Sequence, residues 1–460
     1  MNTIIALSVA SILTLFLGAF KHKKLLLPVV IVGLLISGFL VLPDWDITIS
    51  HYNNMLITDN FTNAFSLVMI VSAILVFLLA NQYYKDSDRS LEDVFGVTLF
   101  SLIGALVMVE SGNLAMFFIG LEIMSISLYV LAGSNKTNQK GNEAAMKYFL
   151  MGSFASAFLL FGIALLYGAS GSLYNKDIYD YAVNANSGIP LMYQAGVILL
   201  VVGMAFKIAS APFHFWAPDV YEGSPTIITT FMVSVVKVAG FAAFFRLAQT
   251  VFPSAAEVWV NTVAVLAAIS ILVGNFTALF QKDVKRMLAY SSISHTGYVL
   301  LALVAFNSFS SKALLIYSIA YVLANIVAFG VVMVVRQADG SSLNDAFNGL
   351  GKRNKGLAVC FTIAMLSLTG IPPLAGFLAK YTVFVAALNS GWLWLVLVAI
   401  LGSAVSIFYY FKPFMNAWFK ESSNKEPIAV LPSLNFVIIF STILLVVIPF
   451  FINYLLDIAL

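Results

Sequence analysis

Three lysines and one glutamate sit deep in apolar runs, where a charge is expensive. Lys207 ends the stretch that begins at Val197, and Lys237 follows Thr230-Phe-Met-Val-Ser-Val-Val. Lys380 follows Gly376-Phe-Leu-Ala, and Glu122 follows Phe117-Phe-Ile-Gly-Leu. A charge at the centre of a bilayer costs about 3 kcal/mol on insertion scales and more in simulation. A lysine can escape that cost by snorkelling to the interface or by permanent pairing with a carboxylate. Neither route accounts for three mid-span lysines against one mid-span carboxylate. Desolvation disfavours an ammonium, so a dry amine can release a proton near neutrality where a solvated one does not. The chemistry these residues suit is proton relay, carried by Glu122, Lys207, Lys237 and Lys380.

Three further residues are secondary candidates. His295 lies among hydroxyls in Tyr290-Ser-Ser-Ile-Ser-His-Thr-Gly-Tyr298. Imidazole titrates near neutrality, so His295 could pass protons between Lys237 and Lys380, or be a core residue hydrogen-bonded to serines. His214 falls two turns beyond Lys207, on the same face if the helix continues. Lys147 is near a span end and can pair with Glu143 one turn back. Arg246, also near an end, is explained by snorkelling. Asp219 and Glu222 read as helix caps or water-boundary charges, and Asp283, His22 and His51 as solvated loop residues.

Two proline-rich interruptions accompany the lysines. One is Lys207-Ile-Ala-Ser-Ala-Pro-Phe-His-Phe-Trp-Ala-Pro-Asp-Val-Tyr-Glu-Gly-Ser-Pro225; the other is Leu368-Thr-Gly-Ile-Pro-Pro-Leu-Ala-Gly-Phe-Leu-Ala-Lys380. Proline removes a helical donor. Irregular backbone at membrane depth is tolerated only where protein or a water-filled cavity surrounds it. A broken helix beside an ionisable group therefore marks a polar pathway, and two in separate halves suggest an inverted repeat. A plain proline kink is the alternative.

The elements that position these residues must be membrane helices. Of the 460 residues, 61% are apolar and only 10% charged, against roughly a quarter charged in soluble domains. Mean hydropathy is +0.96. Spans of about 20 apolar residues are expected at 2–20, 25–43, 61–83, 94–110, 114–133, 143–168, 191–212, 226–252, 255–280, 287–307, 312–336, 356–389, 391–412 and 432–456. The span 356–389 is discontinuous at Pro372-Pro373. Alternate loops give an independent test of this count. One set holds seventeen basic residues (Lys21, Lys23, Lys24, Lys85, Arg89, Lys136, Lys140, Lys282, Lys285, Arg286, Arg336, Lys352, Arg353, Lys355, Lys412, Lys420 and Lys425) and the other only Lys176 and Lys312. By the positive-inside rule, both termini are expected on the non-cytoplasmic side. The basic cluster at 21–24 follows the first apolar run instead of preceding it, so that run reads as a retained span and not a signal peptide.

The single cysteine, Cys360, excludes a disulfide framework or a Cys-ligated iron–sulfur cluster and reads as a core residue. There is no glycine-rich phosphate loop, and the four histidines are too scattered for a haem or metal cluster. No cofactor and no nucleic acid is expected on this chain.

The segments FKIASAPFHFWAPDVYEGSP, QKDVKRMLAYSSISHTGYVLLAL and LSLTGIPPLAGFLAKY resemble the antiporter-like subunits of respiratory complex I and of the multisubunit cation/proton antiporters, over roughly residues 94–412. The resemblance implies an all-α integral membrane fold of about 14 transmembrane helices, with two inverted five-helix repeats and two discontinuous helices. Its units would be an N-terminal three-helix segment at 1–93, repeat halves at 94–252 and 253–412, and a C-terminal helix at 413–460. It implies Glu122 and Lys207 as the carboxylate–lysine pair of the first half-channel, Lys237 as the connecting lysine, His295 as the polar position between halves and Lys380 as the terminal lysine. The chain lacks the C-terminal lateral helix expected of subunit L and carries Lys380 where subunit M is expected to carry glutamate. The implied function is proton translocation as a subunit of an NADH–quinone oxidoreductase in a bacterial inner membrane, a form the three extra N-terminal spans favour. NADH, FMN, iron–sulfur clusters and quinone would lie in other subunits. The expected partners are antiporter-like and small membrane-arm subunits and the lipid bilayer. A sodium/proton antiporter-complex subunit is the alternative, and a structural membrane anchor the third reading.

Overall fold

The computed structural model describes residues 1–20, 22–84, 91–185, 188–422, 424 and 426–459. Its helices are α1 (Asn2–Ala19), α2 (Leu26–Phe39), α3 (Asn60–Tyr83), α4 (Leu91–Val109), α5 (Leu114–Ala132), α6 (Gln139–Ser170), α7 (Asn175–Val183), α8 (Leu191–Lys207), α9 (Trp216–Gly223), α10 (Thr226–Phe231), α11 (Lys237–Thr250), α12 (Ala256–Leu279), α13 (Val284–Ala305), α14 (Ser310–Asp339), α15 (Leu350–Arg353), α16 (Lys355–Thr369), α17 (Ala375–Asn389), α18 (Leu393–Phe419) and α19 (Pro432–Ala459). Among the described residues, twelve helical segments are long and apolar enough to cross a membrane; α8, α16 and α17 are apolar but shorter. Lys21, Lys85, Arg89 and Lys425, four of the seventeen basic loop residues, lie outside the described residues.

Burial ranks the helices. The apolar window of the rod Thr226–Thr250 is 100% buried and those of α13 and α14 94%, against 28% for α1 and α19. The centre of the molecule is therefore the rod formed by α10 and α11 with α13 and α14. The outer helices turn leucine, isoleucine and phenylalanine outward, as the bilayer allows. Within the central rod, a π-helical segment, Met232–Val236, joins α10 to α11 just before Lys237. Such segments often mark functional positions.

Two connections share one hydrogen-bond pattern. Asn113 caps α5, its side chain accepting from Met116 N, and Asp283 caps α13, accepting from Arg286 N. Each satisfies a helix-end donor that has no partner in the helix. Leu114 N donates to Leu173 O and Asn175 N to Gly112 O; likewise Val284 N donates to Ser342 O and Asn344 N to Lys282 O. The preceding long helices, α6 and α14, both end at a left-handed glycine, Gly171 at φ +73 and Gly340 at φ +69, where a side chain would be strained. A hairpin of β1 (Ile49–His51) and β2 (Leu56–Thr58) covers the first connection through Ile57 N to Glu110 O and Gly112 N to Met55 O. His51, expected in a solvated loop, is half-buried in that hairpin.

Both helix breaks form where proline requires them. α8 ends at Lys207, and Ala209 takes a left-handed φ of +55 as Ser210 N bonds back to Ala205 O. α16 ends on Gly370 at φ +91, with Ile371 N returning to Leu366 O. That is the Schellman pattern, which satisfies terminal carbonyls. α17 then starts against the end of α16. A Cβ on Gly376 would stand 1.7 Å from Ser367 O.

Candidate functional site

Lys207, Lys237 and Lys380 are all buried, at 8%, 2% and 5% exposure. Each ammonium is held by neutral oxygens. Lys207 Nζ donates to Ser125 Oγ at 2.6 Å and lies over the Tyr148 ring, 5.9 Å from its centroid. Lys237 Nζ donates to Ser292 O and, at 2.8 Å, to Thr296 Oγ1. Lys380 Nζ donates at 2.7 Å to both Thr369 O and Ser403 Oγ, above the Tyr298 ring at 4.7 Å. Thr369 is the last residue of α16, so Lys380 sits at the negative end of that helix. The break was legible as a kink; its use as a lysine seat was not.

The expected contact between Glu122 and Lys207 is replaced by two serines. Glu122 Oε1 accepts from Ser156 Oγ at 2.5 Å, while Lys207 turns to Ser125. A cavity of about 10 Å³ beside Lys207 is lined by Ser125, Ser156 and Lys207 itself, close to the volume one water requires.

The first break also touches the second lysine. Thr296 Oγ1, which accepts from Lys237, donates to Ile208 O at 2.8 Å. Residues 208–215 are turn and not helix, so His214 does not continue the Lys207 face. It is buried at 7% exposure, its ring 4.6 Å from that of Phe215.

His295 is enclosed by tyrosines. Its Nδ1 meets Tyr317 OH at 2.6 Å and its Nε2 meets Tyr410 OH at 3.1 Å. Tyr410 OH also contacts Ser291 Oγ. The expected serine partners are thus tyrosines from α14 and α18, reached through Tyr410. Aromatic residues in apolar runs carry no local sign of such a role.

Lys147 belongs to a separate cluster. It pairs with Glu143, as its spacing predicted, and with Asp219 at 2.7 Å. Arg286 bridges Asp219 and Glu222 at 2.9 and 2.6 Å, and Lys140 joins Glu222 at 3.0 Å. Asp219 and Glu222, read as caps or boundary charges, are the anionic centre of this network. Lys285, read as a loop charge, is fully buried, donating to Glu222 O and Ser224 O at 3.0 and 2.6 Å. Arg246, read as snorkelling, pairs with Asp59 at 2.6 Å. Asp283 is the α13 cap and accepts from Ser342 Oγ. Cys360 is buried. Among the described residues no group of three His, Cys, Asp or Glu could hold a metal ion.

A line of buried cations seated on two interrupted helices defines a polytopic membrane protein of the ion-translocating kind. The family described as NADH:quinone oxidoreductase/Mrp antiporter, transmembrane, matches residues 111–406. A Flavobacterium psychrophilum protein named NADH-quinone oxidoreductase subunit N is 43% identical over 93% of each chain. A chain of respiratory complex I from Thermus thermophilus with bound aureothin is 32% identical, with a TM-score of 0.84 over 99% of this chain and 98% of that one. A chain of the Mrp complex from Dietzia sp. DQ12-45-1b superposes at a TM-score of 0.88 over 100% of this chain and 96% of that one, at 18% identity, which shows a shared fold alone. The chain belongs to this family, and within it to the subunit N type of NADH-quinone oxidoreductase, the antiporter-like membrane-arm subunits of complex I. The paralogue pointed to by Lys380 is this one, and the relatives favour it over the antiporter-complex alternative.

Proposed function

We propose that this chain carries protons across a bacterial plasma membrane along Glu122, Lys207, Lys237, His295 and Lys380, driven by electron transfer from NADH to quinone in partner subunits. The carrying observation is that three interior ammonium groups rest on neutral oxygens and not on contact carboxylates. A permanently charged lysine buried this way is costly. A lysine that alternates between charged and neutral forms uses the same surroundings in both states.

Glu122 is the input. It is half-buried, in hydrogen-bond contact with Ser156, where a neighbouring membrane-arm subunit can alter its charge. Removing one unit charge within about 6 Å at an effective dielectric of about 20 changes an ion's energy by about 3 kcal/mol, roughly two powers of ten in proton occupancy. The Lys207 proton then moves to Lys237 and on to Lys380, while the Thr296–Ile208 contact ties the Lys237 seat to the first break. His214 and Lys147 are accessory: His214 sits in the break, and Lys147 anchors the charge cluster that ties α6 to α9.

The chain is read as fourteen crossings: the twelve long segments, α8, and the α16–α17 pair as one broken span. The chain is read as two inverted halves, 94–252 and 253–412, a reading supported by the matched caps, bridges and glycines of Asn113 with Asp283 and of Gly171 with Gly340. The segment 1–93 and the helix within 413–460 flank them. Both termini face the non-cytoplasmic side. The expected partners are antiporter-like and small membrane-arm subunits, with FMN, iron–sulfur clusters and the quinone site in other chains.

The test is Lys207→Ala in the assembled complex. Proton translocation coupled to NADH oxidation is expected to fall more than tenfold; translocation near the parent level would overturn the reading.

A further inference from the structure

Between His295 and Lys380 lies a row of polar side chains with an amide at its centre. From His295 Nε2 the path runs 3.1 Å to Tyr410 OH, and the Tyr410 ring packs against that of Tyr409 with 4.4 Å between centroids. Tyr409 OH donates to Asn275 Oδ1 at 2.9 Å, and Asn275 Nδ2 donates to Tyr298 OH at 3.1 Å. The Tyr298 ring lies under Lys380 Nζ, 4.7 Å from its centroid, and Lys380 donates to Ser403 Oγ at 2.7 Å.

The orientation of Asn275 is fixed by chemistry. Its nitrogen also donates to Ile271 O at 2.8 Å. A backbone carbonyl can only accept, so the amide nitrogen must face it and the oxygen must face Tyr409. Tyr409 therefore commits its hydrogen to Asn275, and Tyr298 must receive one from it. Both Asn275 N–H groups are used and the residue is 1% exposed. Gly402 supplies the room: a Cβ there would lie 2.8 Å from Asn275 Nδ2 and 3.0 Å from Tyr298 OH.

A hydroxyl passes protons by accepting one as it gives up another. An amide side chain has no titration in the physiological range, so it transmits orientation and not protons. We propose that Asn275 is a positioning residue that interrupts proton transfer between His295 and Lys380, so that exchange between them waits for a rearrangement of the path. An unbroken path would let the two sides of the pump equilibrate. This inference rests on the relay reading above.

The experiment uses the intact complex in proteoliposomes and reads protons moved per electron and the decay of an imposed pH gradient without NADH. Asn275→Asp, similar in size but titratable, is expected to speed gradient decay severalfold and lower the proton-to-electron ratio. Asn275→Ser carries the same expected sign and decides the matter if the aspartate variant does not assemble. Adding Tyr409→Phe to Asn275→Asp cuts the path on the His295 side and is expected to restore gradient retention, which general damage would not do. Gradient decay at the parent rate in both single variants, or no rescue by Tyr409→Phe, overturns the proposal. A parallel Lys380→Met variant separates the two claims. Unimpaired translocation there sinks the relay reading itself; impaired translocation with tight Asn275 variants sinks only this inference.

Discussion

The regions around the Asn113 and Asp283 caps, the two proposed halves, share a frame and differ in what they hang on it. When Asn113 is matched to Asp283, Glu122 falls on Ser292, Ser125 on His295 and Glu110 on Phe280. The backbone bridges around the caps are alike in both halves. At the matched positions the first half supplies Lys207 with a hydroxyl and a nearby carboxylate. The second half supplies a backbone carbonyl to Lys237 and an imidazole set among tyrosines. The frame is thus set by caps and left-handed glycines, and the chemistry is carried by a few grafted side chains. On the proposed function, the first half would be switched by changing a charge, and the second by turning hydroxyl groups.

The sharpest way to break this contrast is to make the first half resemble the second. Glu122→Ser keeps a polar group beside Ser156 and removes the charge. Translocation linked to NADH oxidation is expected to drop more than tenfold, since the carboxylate held by Ser156, which lines the Lys207 cavity, disappears. NADH-driven acidification of membrane vesicles measures it. A variant that pumps like the parent would mean that the difference at Glu122 and Ser292 has no functional content.

A second difference lies in the turns that precede the caps. Phe280 is exposed, whereas Glu110 is buried under the hairpin in the connection between α4 and α5, its Oε2 without a partner. Burial pushes the Glu110 carboxyl from 4.5 up to about 7. An acid raised this way binds more protons folded than unfolded, so its contribution is present below about pH 4.5 and lost as pH rises through about 7. The span corresponds to about 3 kcal/mol at most. Glu110→Gln, neutral at every pH, should lose this dependence. Its stability advantage over the parent is expected to grow between about pH 5 and about pH 8, read as thermal inactivation of the complex. Parallel pH curves for the two proteins would remove Glu110 from consideration.

What the sequence made legible follows from what burial forbids. Mid-span charges, proline breaks and the loop charge asymmetry report on single residues against a solvent, so Lys207, Lys237, Lys380 and the spans could be read locally. Partners on other helices could not. Lys285 looks like any loop lysine until the end of α9 closes over it. Arg246 finds Asp59 from a distant connection. Tyr409 and Tyr410 sit in α18 as ordinary aromatic residues, and only packing brings them against Asn275 and His295. The hairpin at 49–58 joins a connection that hydropathy treats as featureless. Glu122 and Lys207 were matched as complementary charges, yet each bonds a serine instead, Ser156 of α6 and Ser125 of α5.

The smallest expected effects test the breaks themselves, where the two halves solve one backbone problem with different residues. Gly370 holds φ +91 after α16, while Ala209 holds φ +55 after α8. An L side chain in this region costs about 1–2 kcal/mol. Ala209→Gly relieves that strain but frees the unfolded chain by about 0.5–1 kcal/mol, so a net gain of up to about 1 kcal/mol is expected. Gly370→Ala should cost about 1–2 kcal/mol. It also directs a methyl to 2.9 Å from Lys380 Cδ, pushing the ammonium off Thr369 O and Ser403 Oγ. Thermal inactivation gives the stability change, and the proton-to-electron ratio gives the displacement. If Gly370→Ala lowers stability but leaves that ratio untouched, the seat of Lys380 at the end of α16 is structural only. If Ala209→Gly lowers the ratio while raising stability, the strain at the first break is itself part of how Lys207 is held.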